Sequence, residues 1–171
     1  MTTIAVPTAP AHTPYWETEL FSTKATRPGH GPDAPLFEGV GDMLDDSRSR
    51  LARVSARAAY QEVLFKRAVL VDIRPQAQRE QQGEVYQDLV PVIIERNVLE
   101  WRLDPRHSSC LSIADFELRV ILICQEGYTS SLAADVLQRM GIHRATDIIG
   151  GFAAWCSAGL PRREGAVESE R

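Results

Sequence analysis

The chain has 171 residues, 44% of them apolar and 25% charged, with a formal net charge of −4 at pH 7. That length suits one domain of ordinary size plus a tail, with enough apolar residues for a real core. No lysine or arginine block recommends nucleic acid or an anionic membrane surface as a partner, and no apolar run is long enough to span a bilayer.

Three cysteines, an odd number without paired spacing, argue against a disulfide framework and fit a reducing compartment. Met1 to Pro14 has neither the basic region nor the apolar core of a secretory signal, so a cytoplasmic location is expected. His12, His30, His107 and His143 fall in no metal-ligand spacing and no Cys-x-x-Cys exists, so no metal site is expected.

Residues 1–46 are rich in Pro, Thr, Gly and Ala, with prolines at 7, 10, 14, 28, 32 and 35 and no periodic apolar pattern. They read as a flexible tail. Within it Tyr15-Trp16 and Leu20-Phe21 form a cluster able to dock on the domain or a partner. The charged stretch Ser47 to Val54 reads as a short helix or linker at the start of a domain over 47–162. Ser55 then stands as an N-cap before a helix whose Ala59, Val63 and Tyr60/Leu64 pair share one side.

Ala68 to Ile73 is continuously apolar up to Asp72, as expected of a strand buried on both faces of a parallel sheet, and Pro75 stops it after Arg74. Gln76 to Gln82 reads as a polar helix and Val92-Ile93-Ile94 as a second strand. Asn97 is expected to cap a short helix carrying Val98, Trp101 and Arg102, ended by Pro105, with Arg96 at the preceding strand end. Arg106 to Phe116 is a polar connection holding Cys110, with Leu111 to Ala114 as a turn of helix.

The central unit is Val120-Ile121-Leu122-Ile123, a buried strand, followed by Cys124, a short polar loop with Gly127, and a helix begun by Ser130 and Ser131 as capping residues. Leu132, Val136, Leu137 and Met140 recur at helical spacing, and Gly141 closes the helix. A cysteine at a helix N-terminus lies where the first amides lack internal partners and the dipole is positive, which favours a thiolate. Cys124 is therefore a candidate nucleophile; the alternative is a small buried hydrophobe. His143 to Ile149 reads as loop plus last strand, Phe152 to Ala158 as the last helix, and residues 163–171 as a frayed end.

Three stretches carry a family resemblance. Cys124-Gln125-Glu126-Gly127-Tyr128-Thr129-Ser130 is similar to the active-site loop of rhodanese-like sulfurtransferases, Val69 to Arg74 to the family's early apolar-Asp-x-Arg strand end, and Ile148 to Trp155 with Gly159-Leu160-Pro161 to its C-terminal signature. The resemblance spans about Ser55 to Arg162 in the family's order. It implies an α/β rhodanese-like fold, a parallel sheet of about five strands with helices on both faces. It further implies a sulfurtransferase in which the Cys124 thiolate takes sulfane sulfur from thiosulfate or a persulfide and passes it to a thiophilic acceptor. No cofactor is expected, because the thiolate is both nucleophile and leaving group. The implied partners are a small-molecule or protein sulfur donor and acceptor, and no feature sets an oligomeric state.

Under this reading the amides of Gln125, Glu126, Gly127, Tyr128 and Thr129 form an anion nest for the charged sulfur, and the hydroxyls of Thr129 and Ser130 donate to it. Asp72 braces the loop, with Arg74 and Arg96 as substrate-side candidates or surface ion pairs. Neither other cysteine is read as a resolving thiol: Cys156 follows Trp155 on a helix and is read as packing, and Cys110 lies in a loop with no fixed geometry.

Two departures bear on function. Gly83 to Pro91 keeps the glycine of the family's Gly-His-Ile-Pro-Gly-Ala turn but lacks its histidine and looks lengthened. Where many members carry Arg or Lys in the loop, this one has Gln125 and Glu126, and a carboxylate ~5 Å from an anionic donor costs roughly 3 kcal/mol at an effective dielectric of ~20. Cysteine phosphatases of related fold have a loop one residue longer that ends in a phosphate-binding Arg; position 129 is Thr, which argues against phosphoester hydrolysis. The alternative to an enzyme is a non-catalytic rhodanese-like binding or redox-sensing module.

Overall fold

The computed structural model describes residues 35–166. Tyr15-Trp16 and Leu20-Phe21, and residues 167–171 of the expected frayed end, lie outside them. The compact unit begins at Phe37. Its elements run α1 (Val40–Ser49), α2 (Ala56–Leu64), β1 (Val69–Asp72), α3 (Gln76–Gln82), β2 (Glu84–Val85), β3 (Val92–Ile93), α4 (Leu99–Leu103), β4 (Val120–Ile123), α5 (Thr129–Arg139), β5 (Thr146–Asp147), α6 (Gly151–Ser157) and β6 (Arg162–Arg163).

Four parallel strands form the sheet in the order β3-β1-β4-β5, and a parallel bridge between Val54 and Ile148 extends it beyond β5. β4 is buried along its whole length. Its side chains alternate between two cores, as the pleat requires. Val120, Leu122 and Cys124 face Leu99, Leu103, Ala133, Ala134 and Leu137 of α4 and α5, whereas Ile121 and Ile123 face Ala59, Val63, Phe152 and Trp155 of α2 and α6. This double covering explains the unbroken apolar runs of β1 and β4.

Because the strands are parallel, their C-terminal ends share one edge, the edge on which open α/β sheets bind ligands. Asp72 pairs in register with Ile123, and Leu122 with Asp147. Asp72, Cys124 and Asp147 therefore stand together there.

Several elements depart from the sequence reading. α1 takes in residues 40–46, which composition assigns to the tail; its inward positions are few, Leu44 and Ser47, so its periodicity is faint. In α2, Ser55 accepts the Ala58 amide as expected, but Leu64 is exposed while Ala56, Ala59 and Val63 are buried. Asn97 lies inside a 3-10 turn, Arg96–Val98, and caps nothing; α4 buries Leu99 and Leu103 and exposes Trp101, and Val98 just before it is exposed too. A five-residue helix offers only one turn of pattern, too little to settle its face. Leu111 to Ala114 is a turn closed by the Ala114 amide on the Leu111 carbonyl rather than helix.

Arg163, read as the start of the frayed end, belongs with Arg162 to β6, which pairs antiparallel with Glu84–Val85. Glu84 joins the two, accepting from Arg79 at 3.2 Å and from Arg163 at 2.7 Å. The altered Gly83 to Pro91 turn thus carries its own small ribbon. Gly83, at φ +92, admits no side chain because a Cβ there would overlap the Arg163 carbonyl.

α1 is fastened to α5 by charge. Arg50 donates to both carboxylate oxygens of Asp135, at 2.7 and 2.8 Å, and again to Asp46 at 2.8 Å. The Arg50 hydrogen bond holds the Asp135 carboxyl below its ordinary value, against the opposing effect of burial. A depressed folded-state value contributes stability above about pH 4 that is lost as pH falls through it. Asp135→Asn should therefore lower Tm at pH 7, and the gap from wild type should close on acidification below about pH 4 in thermal melts across pH.

Candidate active site

Cys124 leaves the end of β4 and is 8% exposed, with its sulfur turned into the loop that follows. The Gly127 amide donates to Sγ at 3.2 Å and the Ser130 amide at 3.4 Å, while the thiol donates to Ser130 Oγ at 3.2 Å. Ser130 is the second residue of α5, so the sulfur does what a cap side chain normally does for a helix start. The serines, expected as caps, are buried inside the first turn, and no side chain of Tyr128 caps the helix. Of the amides expected around the sulfur, that of Gly127 reaches it, joined by that of Ser130.

The loop is held from below by α6. The amides of Phe152 and Ala153 donate to the carbonyls of Cys124 and Gln125 at 2.8 and 2.9 Å. Such contact requires a bare backbone, because a Cβ on Gly151 would overlap the Cys124 carbonyl. That is why a Gly-Gly pair opens this helix. Trp155, fully buried, anchors the other end through its indole N–H on the Pro161 carbonyl at 3.1 Å, and Tyr60 meets it edge to face with centroids 6.0 Å apart.

From one side comes Asp72. It is buried and takes the Arg74 guanidinium through both oxygens, at 2.6 to 3.1 Å, while Arg74 also donates to Gln125 Oε1 at 3.1 Å and to the Gly83 carbonyl at 3.0 Å. Its guanidinium lies 3.9 Å from the centre of the Phe152 ring. Neither residue forms a surface ion pair, as one reading of the sequence has it. Arg74 is 1% exposed and ties the active loop to α6 and to the Gly83 turn.

From the other side come residues the sequence reading did not single out. Asp147 on β5 is fully buried and accepts from Arg53 at 2.7 and 3.0 Å and from the hydroxyls of Ser130 and Ser131, each at 2.9 Å. Arg48 and Arg53 converge on the Gly127 carbonyl at 2.9 and 3.2 Å. A charged residue set between Thr146 and Ile148 in a buried strand is a signal a sequence reading can use. Arg48 and Arg53, far away in sequence and within a stretch read as a short helix or linker, give none.

In front of the sulfur opens a cleft of about 340 Å³ lined by Ile73, Arg74, Gln78, Arg96, Cys124 and Glu126 among others. Arg96 reaches this rim as expected, and Glu100 pairs with it at 2.7 Å. Gln125 lies in the loop wall, whereas Glu126, Tyr128 and Thr129 are exposed at the cleft. A larger cavity of about 620 Å³, between Val63, Leu89, Ile113 and Leu118, includes none of these residues.

Known proteins resemble this chain to different extents. The family model for the rhodanese-like domain matches residues 55–158. The thiosulfate sulfurtransferase GlpE of Haemophilus influenzae is 39% identical over 49 residues, 29% of this chain and 47% of that protein, so the chain spans about half the length of the curated relatives it matches. A solved protein of unknown function from Rhodopseudomonas palustris, described as a possible tyrosine phosphatase, is 28% identical over 77% of this chain and 98% of its own, with a TM-score of 0.66. The polysulfide-sulfur transferase homodimer of Wolinella succinogenes shares the fold at 21% identity, 72% and 86% coverage and a TM-score of 0.60.

Gly127 is where the loop tolerates least change. It sits at φ +76, and a Cβ there would lie 2.8 Å from the Gly150 amide nitrogen and 2.9 Å from the Ile148 carbonyl oxygen. Left-handed backbone costs a side-chain-bearing residue roughly 1–2 kcal/mol, and the contacts add to that. Gly127→Ala should therefore lower Tm and slow Cys124 alkylation together; an unchanged melt and unchanged reactivity would contradict the geometry described.

Proposed function

The chain belongs to the rhodanese-like domain family, and from that premise we propose that it is a sulfurtransferase working through a persulfide on Cys124. The observation that carries the reading is the sulfur itself: it ends a buried strand, receives two backbone N–H groups and faces an open cleft. Amide donors aimed at an atom that becomes and remains anionic stabilise that charge with little rearrangement.

The steps balance without a cofactor. The Cys124 thiolate attacks the outer sulfur of a donor persulfide or polysulfide; the donor's sulfur–sulfur bond breaks, its electron pair leaving on a thiolate or shorter polysulfide. Cys124 then carries an outer sulfur with the negative charge. An acceptor thiolate attacks that sulfur, and the electron pair of the breaking bond returns to Cys124. The Gly127 and Ser130 amides hold the charge on Cys124 before loading and after transfer.

Charge in the cleft supports the donor class. Arg74 is neutralised by Asp72 and Arg96 by Glu100, and Glu126 is exposed at the opening. A dianion such as thiosulfate meets no unpaired cation among these groups and one carboxylate. A persulfide on a small thiol or a protein, presenting a single charge, suits the cleft better. Gln125, Tyr128 and Thr129 form the wall beside the incoming sulfur. Three cysteines outside any disulfide suit the reducing, cytoplasmic setting in which thiol persulfides form.

The likeness to the Rhodopseudomonas protein brings phosphate ester hydrolysis into view as a second chemistry. Residues 125–130 include no arginine, the side chain whose planar fork best holds phosphate, so the sulfur reading is preferred. A second reading, a binding or redox-sensing module without turnover, is favoured by how little of Cys124 is exposed. Intact mass separates them. After incubation with polysulfide, wild type should gain about 32 Da, one sulfur, that Cys124→Ser does not, and thiosulfate should load less. No added sulfur from either donor on folded protein would favour the module.

A further inference from the structure

The described family span begins at residue 55, yet the groups that close over the active loop from β5 are governed by Arg53, with Arg48 beside it. Asp147 is fully buried, and Arg53 occupies both of its oxygens. Oδ2 additionally accepts the Ser130 and Ser131 hydroxyl protons. Ser130 Oγ, having given its only proton to Asp147, offers a lone pair to the Cys124 thiol 3.2 Å away.

This orientation of the Ser130 hydroxyl suits the thiol and not the thiolate, whose only donors are then the Gly127 and Ser130 amides. Once the thiol proton has passed to water in the cleft, Sγ needs donors, and Ser130 faces it with oxygen. Rotation of the hydroxyl about its C–O bond turns that proton from Asp147 to the sulfur. Asp147 loses one of its partners and keeps the guanidinium of Arg53 and the Ser131 hydroxyl, so its charge stays compensated. Ser131 has a second acceptor, the Gly127 carbonyl at 3.0 Å, which lets its proton follow demand as well.

We propose that Asp147 and Arg53 are positioning residues that set the Ser130 hydroxyl as a reversible donor to the Cys124 sulfur, Arg53 fixing how tightly Asp147 retains the proton. The inference rests on Cys124 acting as a thiolate, as in the persulfide reading, but concerns the sulfur's charge and not its cargo. Arg53 lies on the segment joining α1 to α2, so that connection belongs to the working site. The charged groups facing the sulfur and its loop are Glu126 of the loop, Arg48 and Arg53 before α2, Asp147 on β5, Asp72 and Arg74 at the end of β1, and Arg96 across the cleft.

The test is the pH dependence of iodoacetamide alkylation, read at the Cys124 peptide so that Cys110 and Cys156 do not contribute. Ser130→Ala removes the donor and should slow alkylation about tenfold at neutral pH, displacing the profile upward by about one pH unit, with Ser130→Thr restoring it. Arg53→Gln leaves Asp147 to hold the proton harder and should shift the profile the same way, while Arg53→Lys stays close to wild type. Asp147→Asn releases Ser130 to the sulfur and should move the profile downward. Opposite displacements from Arg53→Gln and Asp147→Asn are not the mark of a loosened fold, which acts in one direction.

Should Asp147→Asn fail to fold, the serine and arginine pairs still decide. Profiles of Ser130→Ala and Arg53→Gln within twofold of wild type, on proteins with cooperative melts, would overturn the proposal. A wild type that accepts no sulfur while the displacements appear would leave the network standing and remove the persulfide reading; sulfur loading with unmoved profiles would do the reverse.

Discussion

Two backbone amides pointing at one sulfur, those of Gly127 and Ser130, set the terms for the rest of this molecule. For both to face inward the chain must turn from a buried strand into a helix within a few residues, a curve that Gly127 at φ +76 makes possible. A loop this tight exposes its carbonyls outward. Each needs a donor, and the surrounding elements supply them: α6 to Cys124 and Gln125, Arg48 and Arg53 to Gly127. Among the described residues no buried side-chain nitrogen or oxygen is left without a partner.

The two buried carboxylates at this edge do similar work from opposite sides. Asp72 holds Arg74, which reaches Gln125; Asp147 holds Arg53, which reaches Gly127. Removing either arginine would leave a buried carboxylate without its main compensating charge, a loss that commonly costs about 3–5 kcal/mol. The same pairing leaves little positive charge to attract a dianion. Under the proposed persulfide chemistry, the ion pairs that hold the loop are the same ones that favour a less charged donor.

Much of this was legible in the sequence, because the strongest signals there are the ones the site itself requires. The apolar runs of β1 and β4, the glycine of the loop and the Gly-Gly that opens α6 all mark places where backbone must be buried or must come close; the first two read directly and the last through the family resemblance. What did not read were contacts with no local pattern. Arg48 and Arg53 act across more than 70 residues of chain on a carbonyl oxygen, which any residue type presents. β2 and β6 are two residues each, too short for alternation to show. α4 misled because a single turn with Val98 and Trp101 next to Leu99 fits two faces, and packing against Leu122 and Val120 chose the leucines.

Sulfur moving through Cys124 rather than resting there is what separates a transferase from a sensor. The most direct measurement takes protein loaded with one sulfur, mixes it with excess cyanide or a small thiol, and follows the protein mass and the sulfur-bearing product together. One equivalent of thiocyanate or new persulfide per loaded Cys124, with the protein returning to its original mass and able to load again, is the predicted result. A persulfide that stays on the protein, or that disappears only as oxidised cysteine while no acceptor gains sulfur, would contradict a transferase and leave a sensor in its place.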